Sequence, residues 1–327
     1  MLLFFSILLV LTDRMKKKAT SSDPSDTQGE VSYNLANPYE EEEINPVIYF
    51  GGKGYVKKKK IDTFLFMGID SYGEAQEREG FSNNDQVDVL MLVVVDHNTK
   101  TYRVLSINRD SMTEIVKIGS TGQRSGTQIA QIALSHTEGS GLNDSCELTT
   151  EAVSTLLLGE ECEHYISLKL DSIAIINGSV GGVEVSIPVD MTALDPEMTK
   201  GKTMKLSDQQ AEYFVRGRKA LEDDYNSSRM ERQSTYLNAW KTKAKAMLSV
   251  DPGFALNLIG DLDPYMITDM DLGKLSDLAG YLADYTQLPS ITIEGEYQQG
   301  KDFREFYCND TSLKQAILDL YYDEKAE

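Results

Sequence analysis

Apolar positions along this chain switch repeatedly between short unbroken runs and helical spacing. Residues 61–69 (IDTFLFMGI) and 87–96 (VDVLMLVVVD) are almost continuously apolar, the pattern of strands covered on both faces. His97-Asn98-Thr99-Lys100 is a turn signal, and residues 101–108 read as the antiparallel return strand. Helices are predicted over about 128–135 and 147–158, then a strand at 165–170 and a helix from Asp171. Gly181-Gly182 ends that helix before a strand at 183–187, and Ser207 with Gln210 forms a capping box that opens another. A long helix over about 227–248 precedes helical stretches near Leu256, Leu275 and Leu313, with one strand at 290–294. Strands alternating with helices predict a single α/β domain over 61–327, with a mixed central sheet layered by helices on both faces.

Ahead of residue 61 the pattern differs. Residues 1–11 are nearly all apolar, yet as a helix they cover only about 16 Å, half of a hydrocarbon core about 30 Å thick. Arg14, Lys16, Lys17 and Lys18 follow, with no basic stretch in front and no small-residue cleavage site behind. Residues 1–18 are therefore read as the second part of a membrane anchor. An odd apolar start to a cytoplasmic chain is the alternative. Residues 19–60 carry an acidic run from Glu40, several glycines and a basic run ending at Lys60, and read as a linker. Gly51-Gly52-Lys53-Gly54 is no phosphate loop, since no strand precedes it and no Gly-Lys-Ser/Thr ending follows.

Charge narrows the function. With 32 Lys plus Arg against 52 Asp plus Glu, the 327-residue chain carries −20, which argues against coating nucleic acid. At 41% hydrophobic it has enough apolar side chains for a core. Cys146, Cys162 and Cys308 are too few for a disulfide scaffold, and sequence leaves one bridge or none equally open. His97, His136 and His164 lack metal-ligand spacing, and Cys162-Glu163-His164 offers too few ligands for tetrahedral zinc.

The remaining candidates are acids at strand ends and a group of arginines. Asp70 ends the first apolar run and Asp88 opens the second; two carboxylates converging at strand ends could hold Mg²⁺. Arg216, Arg218, Arg229 and Arg232 concentrate guanidinium groups in an acidic chain, with Arg109 at the end of another strand. Arg229, Arg232 and Gln233 share one face of the long helix. Guanidinium forks suit bidentate phosphate contacts. Surface salt bridges with Glu222, Asp223, Asp224 and Glu231 are the plainer alternative.

At these residues the chain resembles the LytR–CpsA–Psr family of bacterial cell-envelope glycopolymer transferases. The likeness rests on ordered motifs: Met67-Gly68-Ile69-Asp70; Asp88-Val89-Leu90-Met91-Leu92; Leu105-Ser106-Ile107-Asn108-Arg109-Asp110; Gly181-Gly182-Val183-Glu184-Val185; and Phe214-Val215-Arg216-Gly217-Arg218, then Asp224, then Arg229-Met230-Glu231-Arg232-Gln233. The resemblance implies an extracytoplasmic domain on an N-terminal single-pass anchor in the cell membrane. It implies transfer of a glycopolymer from an undecaprenyl-pyrophosphate donor to peptidoglycan, with Mg²⁺ on Asp70 and Asp88. By the same likeness Arg109, Arg216, Arg218, Arg229 and Arg232 would bind the pyrophosphate, helped by Gln86 and Gln233. Arg109, Arg218 and Asp224 would act in catalysis. Gln86 stands where the family pattern has arginine, so one expected guanidinium is absent, and Asp85 beside it adds a carboxylate near the metal position. A non-catalytic polyprenyl-phosphate or wall-polymer binder, or a lipid pyrophosphate hydrolase, are the alternative readings.

Overall fold

The computed structural model describes residues 46–77, 83–217, 226–251, 253–301 and 303–325. A seven-stranded sheet runs through the domain in the order Met266–Thr268, His164–Leu168, Ile61–Ile69, Val87–Asp96, Thr101–Ile107, with Thr286–Gln287 and Ile291–Thr292 both on the outer edge of the last. Ile61–Ile69, Val87–Asp96 and Thr101–Ile107 are antiparallel neighbours, whereas His164–Leu168 joins Ile61–Ile69 in parallel. The sheet is mixed, as the sequence predicts.

Alternate residues of the central strands feed two separate cores. Phe64, Phe66, Met91 and Val93 pack with helices Asp171–Ser179, Asp208–Arg216, Asn226–Val250 and Leu272–Asp284. Leu65, Met67, Leu90 and Leu92 pack on the other face with helices Asn143–Leu156 and Asp310–Tyr321. Burial on both faces explains why those strands carry no polar alternation. The result is an α/β/α sandwich. Asp208–Arg216 begins at the expected capping box, Ser207 accepting from the Gln210 amide while the Gln210 side chain accepts from Ser207.

Three local readings change. Residues 128–135, expected to be helical, are the end of strand Arg124–Gln131 and a 3-10 turn from Ile132 to Glu138. Arg124–Gln131 pairs with Met112–Ile118, and Ile129 within it is 63% exposed. Within the expected linker, Val47–Phe50 and Lys53–Lys57 form a hairpin whose second strand also pairs with Tyr322–Glu324. Gly51 and Gly52 make its two-residue turn at φ +58° and +82°, a backbone that glycine adopts freely. A second unforeseen hairpin joins Gly295–Gln299 to Arg304–Cys308. Residues 1–18 lie outside the described residues, among which no helix is long and apolar enough to cross a membrane. Cys146, Cys162 and Cys308 are free thiols.

Candidate functional site

The site begins where the two central strands end. Register slips between Gly68 and Ile69, a bulge of the kind that re-aims side chains at a sheet end. Beyond it the Asp70 amide donates to the Gln86 carbonyl at 2.9 Å. Asp70 and Asp88 therefore leave adjacent strands at the same end of the sheet. Both line a cavity of about 560 Å³. Arg109, Arg216, Arg229 and Gln233 line it too, having arrived from a third strand and two helices. Its remaining wall is largely apolar, formed by Val89, Met91, Leu168, Leu170, Ile173, Ile176, Tyr213 and Val215.

The charged groups form two ion-paired sets. Arg109 Nη1 pairs with Asp88, its Nη2 donates to Gln86 Oε1 at 2.6 Å, and its Nε lies 3.7 Å from Asp110 Oδ1. Arg216 Nη2 pairs with Asp70, while its Nη1 donates to Glu212 at 2.6 Å. Glu212 and Arg216 stand at i and i+4 of one helix, the favourable order for a carboxylate and a cation. Tyr72 also donates its hydroxyl to Glu212. Partial burial first, and that carboxylate second, push the Tyr72 phenol up to about 12, so it stays a donor at neutral pH. Arg229 Nε is buried with no hydrogen-bond partner among the described residues. Gly217 follows Arg216; a Cβ there would come within 2.7 Å of Leu194 Cδ1 and 2.8 Å of the Tyr213 carbonyl, so glycine allows the chain to turn away so closely.

Not every expected residue faces the cavity. Arg232 is 1% exposed and turns beneath the wall, its Nε donating to Phe214 O at 2.8 Å and its Nη2 to Gly217 O. It braces the segment that carries Arg216 instead of lining the cavity. Gln233 lines the cavity while its amide donates to Val215 O at 3.1 Å. Gln86 reaches Arg109 from beside the wall. Asp85 is buried and ion-pairs at 3.6 Å with Lys169, and it is not among the residues that line the cavity. Arg218 and Asp224 lie outside the described residues.

Three residues of this site escaped the sequence reading. Lys169 lines the cavity at 5% exposure, and its ammonium donates to Glu74 O at 3.2 Å. Glu212 was visible in principle as the i−4 partner of Arg216. Tyr72 had no local signal, because its partner is 140 residues away.

Two carboxylates on neighbouring strands suit Mg²⁺, which completes its shell with water and phosphate oxygens. Among the described residues no group of three or more His, Cys, Asp or Glu is arranged to hold a metal; Asp70 and Asp88 are the strand-end carboxylates that line the cavity, and a cation held by them would need water or the oxygens of a phosphate ligand to complete its shell. The guanidinium groups around it suit the same ligand.

The LytR_cpsA_psr family model matches residues 10–319. The chain belongs to that family. Among its relatives, the polyisoprenyl-teichoic acid–peptidoglycan teichoic acid transferase TagV of Bacillus subtilis is 25% identical over 164 residues, 50% of this chain and 37% of TagV. TagU of Bacillus mycoides, described in the same words, is 27% identical over 164 residues, 50% of this chain and 46% of TagU. The matched segment thus spans less than half the length of either relative. The crystal structure of B. subtilis TagV superposes with a TM-score of 0.56 at 24% identity, covering 80% of this chain and 96% of that one. The LytR_cpsA_psr fold is therefore shared.

Proposed function

We propose that this domain transfers a phosphate-linked glycopolymer from an undecaprenyl-pyrophosphate donor to peptidoglycan at the outer face of the cell membrane, with Mg²⁺ on Asp70 and Asp88. The observation that carries this reading is one cavity with two kinds of lining. Arg109, Arg216 and Arg229 line it together with Asp70 and Asp88, and Leu168, Leu170, Ile173 and Ile176 add apolar side chains. A pyrophosphate attached to an isoprenoid calls for both kinds. The names of TagU and TagV describe chemistry of this class, and family membership brings it to this chain as a proposal.

In this reading the arginines bind and orient the pyrophosphate through two-pronged contacts. The acceptor hydroxyl attacks the phosphorus that bears the glycan, the bond to the bridging oxygen breaks, and polyprenyl monophosphate leaves carrying the proton the hydroxyl gives up. The glycan is then joined to its acceptor by a phosphodiester. Charge accumulates on phosphate oxygens during that exchange, and guanidinium groups fixed in advance stabilise it without reorganising. A cation on Asp70 and Asp88, when bound, supplies further neutralisation of the same oxygens. Apolar walls keep water from competing with the acceptor.

The test is a transfer assay. The full chain is incubated with a lipid-pyrophosphate-linked glycan and peptidoglycan fragments, with and without Mg²⁺. Expected products are a phosphodiester-linked conjugate and polyprenyl phosphate, with Arg109→Ala slower by about 100- to 1,000-fold and Arg109→Lys failing to restore the rate. Tight lipid binding with neither transfer nor hydrolysis would replace this reading by the binding-protein one. Released glycan phosphate with no conjugate would replace it by the hydrolase one.

A further inference from the structure

Arg109 and Arg216 are each held from two sides, by different nitrogens of the same planar fork. Arg216 gives Nη2 to Asp70 and Nη1 to Glu212. Arg109 gives Nη1 to Asp88 and Nη2 to Gln86, with its Nε 3.7 Å from Asp110 Oδ1. In both sets one partner is a carboxylate at a central strand end. The second partner is anchored separately. Glu212 is fixed by its helix, one turn before Arg216, and by the Tyr72 hydroxyl. Gln86 is fixed through its backbone, whose carbonyl accepts from the Asp70 amide at 2.9 Å.

This arrangement bears on what happens when ligands arrive. Asp70 and Asp88 cannot give all their lone pairs to an arginine and to a cation at once. Engaged by a cation, each would release part of its guanidinium, and an arginine with one contact fewer would gain rotamer freedom and lose part of its aim. We propose that Glu212 and Gln86 are positioning residues that keep Arg216 and Arg109 directed into the cavity when Asp70 and Asp88 bind a divalent cation. The nitrogens freed from the two aspartates are then presented to phosphate oxygens. Gln86 does this for Arg109 without cancelling its charge, because an amide oxygen accepts a hydrogen bond while staying neutral. The residue that departs from the family pattern thus acquires a role. The inference rests on the transferase reading for its cation and its phosphate.

Inorganic pyrophosphate is the probe, titrated calorimetrically into the full chain without Mg²⁺ and at saturating Mg²⁺. Glu212→Ala should bind within about twofold of the wild type when Mg²⁺ is absent, since Asp70 still holds Arg216. With Mg²⁺ Glu212→Ala and Gln86→Ala should each bind about tenfold more weakly, the order of one hydrogen bond to a charged group, and Gln86→Ala should lose more with Mg²⁺ than without it. Glu212→Gln keeps an acceptor oxygen in place and should recover most of the loss. It also serves where Glu212→Ala fails a thermal melt. A purely structural role would weaken binding equally in both conditions, and that result, or no loss in either, overturns the inference alone. A wild type that binds no pyrophosphate under either condition overturns the transferase reading and this inference with it.

Discussion

Replacing Arg232 by methionine separates bracing from phosphate contact. Methionine keeps an unbranched apolar stem in the buried position and removes the donors. Two carbonyls, those of Phe214 and Gly217, then lose the guanidinium that satisfies them. A buried acceptor left unmatched costs about 1–3 kcal/mol, so Arg232→Met should destabilise the domain by about 2–6 kcal/mol. An arginine in an exposed ion pair contributes about 0–1 kcal/mol by comparison. A loss of about 3 kcal/mol in a domain of this size lowers Tm by about 6–12 °C. Calorimetric melting measures it, and pyrophosphate titration below the lowered Tm measures the site. The expected pattern is a large fall in Tm with binding weakened only indirectly, through the segment carrying Arg216. A variant that melts with the wild type yet no longer binds pyrophosphate would refute the reasoning, because it would place Arg232 on the phosphate itself.

Two further outcomes follow from the buried polar groups behind the cavity. Burial holds the His136 imidazole down to about 4, against 6.5 in an unfolded chain, with Nδ1 2.8 Å from the Asp85 carbonyl. The unfolded state therefore takes up the proton first as pH falls from about 6.5 to 4, and stability declines across that window by about 2 kcal/mol at pH 5. Urea midpoints at pH 7.5 and 5 should drop less for His136→Asn than for the wild type, and equal drops would exclude His136 as the cause. Lys169→Met leaves Asp85 buried without its ammonium and should cost about 3–5 kcal/mol. Lys169→Met with Asp85→Asn should recover much of that in the same melts, whereas additive losses would show that the pair is not coupled.

How much was legible depended on where each side chain finds its partners. Residues 87–96 could be read as a strand to the residue, since from Leu90 to Val95 alternate positions enter opposite apolar layers and leave no place for a polar one, the two aspartates standing near the strand's ends. The hairpins were hidden for the converse reason. Gly295–Gln299 is exposed throughout, and Tyr297 is tied by its hydroxyl to Asn108 at 2.9 Å and Asp110 at 3.4 Å, far away in the chain. The charged residues around 53–57 looked like a solvated linker because their neutralising partners are remote. Lys53 pairs with Glu324 and Lys57 with Glu160, while Tyr55 between them is buried. Sequence shows a charge run; it does not show what lies across from it.

The arginines pose the same problem in sharper form. Their density in an acidic chain pointed to a phosphate site, and helical spacing placed Arg229 and Arg232 on one side of a helix. Spacing fixes a side, however, and not an endpoint. Arg229 lines the cavity, whereas Arg232 turns to backbone carbonyls beneath it. The acids were open to the opposite error. Asp70, Asp88 and Glu212 look, by count, like groups that would repel a pyrophosphate, yet each is engaged by Arg109 or Arg216. Under the proposed reading the acids keep the guanidinium groups ordered before the donor arrives. Ordering them in advance removes most of the reorganisation that would otherwise accompany binding. A net charge of −20 and a phosphate site are then compatible, because the relevant field is the one inside the cavity, where partners are fixed at hydrogen-bonding distance. Charges elsewhere on the surface are screened over about 8–10 Å at physiological ionic strength.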